Sequence, residues 1–290
     1  MLTVLNINSD KPMGVKNRIR GIMKKSEVTA EVKSSGGVKV MYLYSDRRSG
    51  KIDWEKLGEY SGTAKGYVLC PKSVLLPKEL GFKRFYSKSL YRLMVINGAV
   101  AVLSLLKNEC RKITLCFCDE YGEYSKYAPL FLPLCGNMKI LTKSDAYHDF
   151  ADYAMGEYGA CVELCSSTGR LSGCNVFVAP RFANLENSVC FGGFMFTFGG
   201  ECVHPHIKTI NNYSWRLPPK YRPLKPLWSS SEYFSQALYS VERCVQTAHV
   251  SPHTFFVGGK AMSAFALAAN IISTIDSALD TARSKVYNNL

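Results

Sequence analysis

With 290 residues, 47% of them hydrophobic and 20% charged, the chain can bury one large core or two smaller ones, and this composition excludes global disorder. The longest apolar stretch, residues 93–106, falls short of the roughly 18 residues that cross a bilayer, so no membrane span is expected. The start of the chain has neither the basic residues nor the long apolar run of a secretory signal, which predicts a cytoplasmic protein.

The formal net charge of +13 is concentrated in the first third of the chain. Residues 1–100 contain 19 Lys and Arg against 8 Asp and Glu, whereas residues 101–200 contain 8 against 10. Such an uneven charge is typical of proteins with an anionic partner, and it is also typical of a solvated surface.

The first 108 residues are predicted to form a mixed α/β domain. Residues 34–37, Ser-Ser-Gly-Gly, separate two strand-like runs, and this predicts a β-hairpin. A long helix at 88–107 is predicted to lead into the next domain. The remaining elements of this part are predicted strands at 1–7, 28–34, 38–45 and 66–71 and predicted helices at 15–25 and 53–61.

Strands and helices alternate in the middle of the chain, over a predicted domain at 109–182. Alternation at this spacing predicts right-handed crossovers and a Rossmann-like, doubly wound parallel sheet. Asp145 is predicted to cap the second helix and Gly159 to end it. The predicted strands lie at 112–118, 138–144, 160–167 and 173–180, and the helices at 122–136, interrupted by two prolines, and 145–159.

Residues 183–290 form a predicted glycine- and proline-rich connector followed by two helices, at 229–246 and 261–285. These C-terminal helices are expected to pack back and close a cleft between the domains. The second helix is apolar over its first three turns, so it packs in the core or against a second copy of the chain in a homodimer.

The order of these elements resembles that of two-domain dehydrogenases of the shikimate-dehydrogenase type, over about residues 60–290 and as architecture only. The resemblance implies a cleft between the domains, at the carboxyl ends of the parallel strands, where cofactor and substrate would meet.

The turn after the first strand of the middle domain departs from such enzymes. A dinucleotide site needs G-x-G-x-x-G there, because the backbone must turn tightly and approach the pyrophosphate. Residues 119–124 read Asp-Glu-Tyr-Gly-Glu-Tyr, with one glycine and three carboxylates that would repel a pyrophosphate. Ordinary NAD(P) binding at this turn is therefore disfavoured, and Asp119 and Gly122 remain weak candidates for another ligand.

Two other places are candidates for an anion. Thr142, Lys143 and Ser144 end the second predicted strand and could accept a phosphate, although a helix cap explains the same residues. Gly258, Gly259 and Lys260 precede a predicted helix start, where backbone amides could bind an anion, and an ordinary loop-to-helix corner is the alternative.

Cysteine and histidine patterns give weak signals. Cys202, His204 and His206 share one face of an extended segment and are weak candidates for metal ligands, with ordinary surface polarity as the alternative. Cys116 and Cys118 lie on one face of a strand and are predicted to be buried, reduced packing residues. The basic and aromatic residues at 82–92 carry the minimal chemistry of nucleic-acid binding, but aromatic residues entering a helix usually pack inward, so no nucleic-acid partner is expected.

The favoured interpretation is a non-catalytic binding or regulatory protein that holds a small anionic ligand in the cleft between its domains. The first alternative is a divergent oxidoreductase that depends on NAD(P) or another nucleotide. The second is a structural component that assembles as a homodimer through its last helix.

Overall fold

The computed structural model describes residues 2–8, 28–46, 52–181, 183, 185, 192–199, 206–242 and 250–287. The chain divides into two units, each built from two segments. The first unit contains residues 1–90 and 216–249, and the second contains residues 91–215 and 250–290. The predicted third region, 183–290, thus contributes to both units.

The first unit is built on a four-stranded sheet in the order β2-β3-β1-β4. β2 and β3 pair antiparallel around Gly36 and Gly37, whose φ angles of 58° and 79° are those of a tight hairpin turn. This confirms the predicted hairpin. β1 lies parallel to both β3 and β4. The strands are β1 (Leu2–Asn8), β2 (Val28–Ser35), β3 (Val38–Asp46) and β4 (Val68–Leu69).

The described part of this unit contains the α-helices α1 (Trp54–Ser61) and α4 (Ser231–Glu242). Asp53 begins α1 by accepting a hydrogen bond from the amide of Lys56 at 3.0 Å. The proline-rich connector forms a 3₁₀-helix, Pro219–Leu224, and the carbonyl of Leu224 accepts a hydrogen bond from the buried Tyr42 hydroxyl. The predicted helix at 15–25 lies outside the described residues.

The second unit is built on an eight-stranded sheet in the order β12-β11-β10-β9-β8-β5-β6-β7. The six strands from β5 to β10 pair parallel with their neighbours, and β11 and β12 add an antiparallel hairpin at one edge. The strands are β5 (Thr114–Cys118), β6 (Asn137–Leu141), β7 (Val162–Cys165), β8 (Val176–Val178), β9 (Gly193–Phe196), β10 (Ile207–Ser214), β11 (Thr254–Val257) and β12 (Lys260–Met262).

Counted from β5, the parallel strands follow the order 3-2-1-4-5-6, the order of the doubly wound nucleotide-binding fold. Residues 115–118 of β5 are all buried, which means that both faces of this central strand are covered. The α/β fold with a mostly parallel sheet in the middle of the chain is thereby confirmed. The strand order reverses between β5 and β8, and such a switch point leaves a crevice at the carboxyl edge of the sheet.

The α-helices of this unit are α2 (Ser89–Ser104), α3 (His148–Tyr158) and α5 (Ala264–Tyr287). Leu267, Ile271 and Ile275 of α5 are buried, and the helix contacts β9 and β11. Phe265, at the start of α5, is exposed, and the homodimer contact through this helix stays a prediction. None of the helices in the described ranges combines the length and apolar character needed to cross a bilayer.

Two local predictions need correction, and a third is confirmed. The segment predicted as a helix at 122–136 is a 3₁₀-helix, Ser125–Leu134, because Pro129 and Pro133 remove the amides that an α-helix would use. Ser144, and not Asp145, provides the cap before α3, and its side chain accepts the amide of Ala146 at 3.3 Å. Gly159 ends α3 in the left-handed conformation, as predicted.

Buried thiols occupy one face of this sheet. Cys116 and Cys118 on β5 and Cys174 before β8 belong to one core cluster, and the sulfur atoms of Cys116 and Cys118 are 3.6 Å apart. A hydrogen bond with Cys118, together with burial, raises the pKa of Cys116 well above its ordinary value. A hydrogen bond with Cys116, again with burial, raises the pKa of Cys174.

These thiols predict a loss of stability in alkali. An unfolded thiol ionises with a pKa of about 8.5, whereas these native thiols stay protonated, so the free energy of unfolding falls as the pH rises above that value. Each such thiol lowers it by about 1.4 kcal/mol per pH unit. Urea unfolding in reducing buffer at pH 7.5 and 9.5 measures this fall in the free energy of unfolding, and the fall should be smaller in Cys174→Ala than in the wild type. An equal fall in both proteins would show that Cys174 does not contribute to the pH dependence.

Candidate ligand-binding site

A cavity of about 610 Å³ opens at the carboxyl edge of the parallel sheet in the second unit. The residues that follow β5, β6, β7 and β8 line it, because the carboxyl ends of parallel strands meet at one edge. Arg92, in the first turn of α2, completes the wall. The lining residues are Arg92, Cys118, Asp119, Glu120, Tyr121, Leu141, Thr142, Lys143, Ser166, Ser167, Thr168, Arg181 and Ala183.

Asp119 follows β5, and its side chain forms hydrogen bonds inside the protein. One carboxylate oxygen, Oδ2, accepts the amide of Tyr124 at 2.7 Å and the hydroxyl of Tyr147 at 2.6 Å. Asp119 is only 3% exposed, and Tyr147 is fully buried. Burial, and then the hydrogen bond to Asp119, raise the pKa of the Tyr147 phenol far above its ordinary value. Asp119 therefore joins the turn after β5 to the segment before α3.

Gly122 makes the turn after β5 with a φ of 75°, a conformation that glycine adopts without strain. A Cβ atom at this position would lie 2.5 Å from the hydroxyl of Ser144 and 3.0 Å from the Cβ of Ala146. The absent side chain thus makes room for the loop after β6. Gly122 does not line the cavity, and its single positive-φ turn differs from the glycine-rich cradle of a dinucleotide site.

Of the three candidate residues after β6, two line the cavity and the third caps the following turn. Thr142 and Lys143 line the cavity. The Lys143 ammonium group pairs with the Glu120 carboxylate, and the Lys143 amide donates to the Glu120 carbonyl at 3.0 Å. The hydrogen bond with Glu120 raises the pKa of Lys143. Ser144 is absent from the lining and caps the following turn, which agrees with the helix-cap interpretation.

Two arginines of the lining were not recognised from the sequence. Arg181 follows β8, and its Nη1 atom lies 2.8 Å from a carboxylate oxygen of Glu123. Arg92 lies at the end of the basic and aromatic stretch at 82–92, whose charges were considered for nucleic acid and not for this edge. Periodicity could have placed Arg181 at a strand end, where ligands of such folds bind, but the sequence carries no signal that brings it together with Arg92.

The basic character of the cavity is local. The second unit contains 13 Lys and Arg and 13 Asp and Glu, so the excess of +13 belongs entirely to the first unit. The cavity has three cations in its wall, Arg92, Lys143 and Arg181, against the two carboxylates of Asp119 and Glu120. Lys143 is paired with Glu120 inside the lining and Arg181 with Glu123 outside it, so Arg92 is the cation of the lining that has no partner among the described residues.

The other predicted sites have different surroundings. Gly258 and Gly259, with φ angles of 54° and 80°, form the turn of the β11–β12 hairpin, and Lys260 begins β12. The predicted loop-to-helix corner is therefore wrong, since α5 begins only at Ala264, where Ser263 accepts the amide of Ala266. Among the described residues, no helix amides converge on these three positions, and none of the three lines the cavity.

The weak metal candidates are only partly described. Cys202 and His204 lie outside the described residues, and His206 is exposed just before β10. Within the described ranges, no group of three His, Cys, Asp or Glu side chains could hold a metal ion.

The basic and aromatic stretch at 82–92 has structural roles in the first unit. Phe82 and Phe85 are buried. The guanidinium of Arg84 donates to the carbonyls of Pro71 at 2.9 Å and Val74 at 2.7 Å. These contacts agree with inward packing of the stretch, while Tyr86 is exposed.

In comparisons with known proteins, no family model matches the chain and no curated protein matches it.

Proposed function

We propose that the protein binds a small anionic molecule in the cavity at the carboxyl edge of the second unit's sheet. The observation that carries the proposal is the coincidence of three features at one cavity beside the β5–β8 switch point: the cavity itself, an arginine without a partner among the described residues, and several hydroxyl-bearing residues in the wall. A volume of about 610 Å³ lies within the usual range of small-molecule sites.

Arg92 is the group that favours an anion most directly. No hydrogen bond or ion pair joins its guanidinium to any other residue in the described part of the chain. An arginine in the first turn of a helix faces the positive end of the helix dipole, which is electrostatically unfavourable. A bound anion would offset this repulsion, and we assign Arg92 that role.

A nucleotide-dependent oxidoreductase is the second candidate, and the strand order favours it. The turn after β5 argues against the usual way of binding a dinucleotide, since Glu120 lies where a pyrophosphate would approach and Gly122 is packed against Ser144. Binding without catalysis is therefore the first interpretation.

Ligand binding is expected to stabilise the protein against heat. A panel of NAD, NADP, ATP, AMP, glucose 6-phosphate and citrate should contain at least one compound that raises the melting temperature by about 5 °C at saturation, because a ligand at 100 times its Kd adds about 2.7 kcal/mol. Arg92→Met should reduce the shift to about half or less. The matched control is Arg111→Met, since Arg111 lies in the 3₁₀-helix before β5, outside the cavity lining. A panel without any shift would contradict the proposal.

A further inference from the structure

Building on the proposed function, we infer that the anionic group of the ligand is a phosphate monoester, held by Arg92 and Arg181 on the β8 side of the cavity. The ligand is then a phosphorylated sugar or a nucleoside monophosphate, and its phosphate does not occupy the turn after β5. Three observations lead to this assignment.

Arg181 is oriented by one carboxylate and keeps a donor unused. Its Nη1 atom is held by Glu123 at 2.8 Å, whereas its Nε atom is buried and has no hydrogen-bond partner among the described residues. The Arg181 side chain as a whole is 37% exposed and lines the cavity, so its guanidinium can meet a ligand there, whereas the shielded Nε atom becomes accessible only if the side chain shifts. Since the guanidinium presents its donors as a planar fork, it suits the oxygens of a phosphate.

Arg92 enters the cavity wall from the side of β9 and β10. The neighbouring Tyr91 stacks on Phe198, with ring centres 4.3 Å apart, and lies edge-to-face with Trp215 at 5.0 Å. Phe198 follows β9 and Trp215 follows β10, so the first turn of α2 is fixed over the carboxyl ends of the strands beyond β8. The first turn of α2 contains no acidic residue, and Ser87 accepts the amide of Ser89 at 3.2 Å, so no carboxylate within this turn offsets the charge of Arg92.

The opposite side of the cavity suits the uncharged part of such a ligand. Glu120 and Lys143 neutralise one another there, so the described residues on this side offer no free cation for a phosphate. Thr142, Ser166, Ser167 and Thr168 provide hydroxyl groups in the wall, and these can exchange hydrogen bonds with the hydroxyls of a sugar. The distribution of groups thus predicts a phosphate near β8 and a sugar near β6 and β7.

Calorimetric titration with AMP and glucose 6-phosphate tests the inference, with adenosine, glucose and citrate as the comparison ligands. At least one of the two phosphate monoesters should bind, and its unphosphorylated partner should bind at least about tenfold more weakly. Arg92→Met and Arg181→Lys should each weaken binding about tenfold or more, because the methionine removes the charge and the lysine keeps the charge but lacks the planar fork of donors. Arg111→Met should leave the affinity unchanged.

The pH dependence provides an independent readout. The second pKa of a phosphate monoester is about 6, so two guanidinium groups should bind it more tightly as the pH rises from 5 to 7.5. The other charged groups at the cavity are Lys143, Asp119 and Glu120, with Glu123 on Arg181, and the described lining contains no histidine.

The outcomes separate the two proposals. Binding of AMP or glucose 6-phosphate that needs the phosphate and both arginines supports the inference, and the identity of the tighter ligand shows whether the molecule carries a base. Binding of citrate but of neither monoester overturns the inference and leaves the proposed anion site standing. Binding that is unchanged in both variants overturns the inference and also contradicts the role of Arg92 in the proposed site. Failure of every anion to bind overturns both.

Discussion

Replacing Asp119 by alanine is expected to lower the free energy of unfolding by about 3–5 kcal/mol, the largest effect of any single substitution in the site. The carboxylate accepts both the amide of Tyr124 and the hydroxyl of the buried Tyr147. Hydrogen bonds to a charged group contribute about 1.5–3 kcal/mol each, and their loss leaves a buried hydroxyl without a partner. Chemical denaturation of the two proteins at neutral pH measures the difference.

Three further variants make this prediction specific. Asp119→Asn keeps an acceptor oxygen and should cost less than the alanine. Adding Tyr147→Phe to Asp119→Ala should restore part of the loss, because it removes the orphaned hydroxyl. Asp145→Ala is the matched control, since that carboxylate is fully exposed and its loss should change stability by no more than about 0.5 kcal/mol. If the Asp119→Ala protein were as stable as the wild type, the structural role of Asp119 would be contradicted, and its carboxylate would be available to bind a ligand.

Gly122→Ala is expected to destabilise the protein by about 2–4 kcal/mol. About 1–2 kcal/mol of this comes from placing a residue with a Cβ at a φ of 75°, and the rest comes from the close contact with Ser144, 2.5 Å from the new atom. Denaturant unfolding provides the measurement.

Gly159→Ala separates the two contributions. Gly159 has a φ of 60°, but no atom lies within 4 Å of the position that a Cβ would take, so its substitution should show the conformational cost alone. The extra cost at Gly122 is then the packing against the loop after β6, and Ser144→Ala should relieve part of it. Equal losses at the two glycines would contradict the packing role of Gly122.

Asp119 and Gly122 also show how far sequence reasoning reached. The alternation of apolar runs and helices predicted the parallel sheet around β5, and three acidic side chains near Gly122 argued against a pyrophosphate there. The sequence could not show that the turn is filled by Ser144, because this contact depends on how the loops after β5 and β6 approach each other. Asp119 was a candidate ligand because its hydrogen-bond partner, Tyr147, lies 28 positions away along the chain. The sequence does not show that these two side chains meet.

The cavity wall could be predicted only in part. Thr142 and Lys143 follow a recognisable strand and were predicted as candidates from the sequence. Arg92 and Arg181 come from chain segments almost 90 positions apart, and only the fold brings both into the wall of one cavity. The glycine pair at 258–259 was misassigned because a tight hairpin turn and a loop before a helix share the same residues. Short strands such as Lys260–Met262 carry too little periodicity to decide between them.

Hydrogen exchange in the presence of the tightest-binding anion tests the central claim most directly. Bound ligand should slow the exchange of amides at residues 119–122, 142–144 and 166–168 and in the first turn of α2, with little change in the first unit. Protection centred on the first unit or on the β11–β12 hairpin, with none at the carboxyl edge of β5–β8, would contradict a site in this cavity.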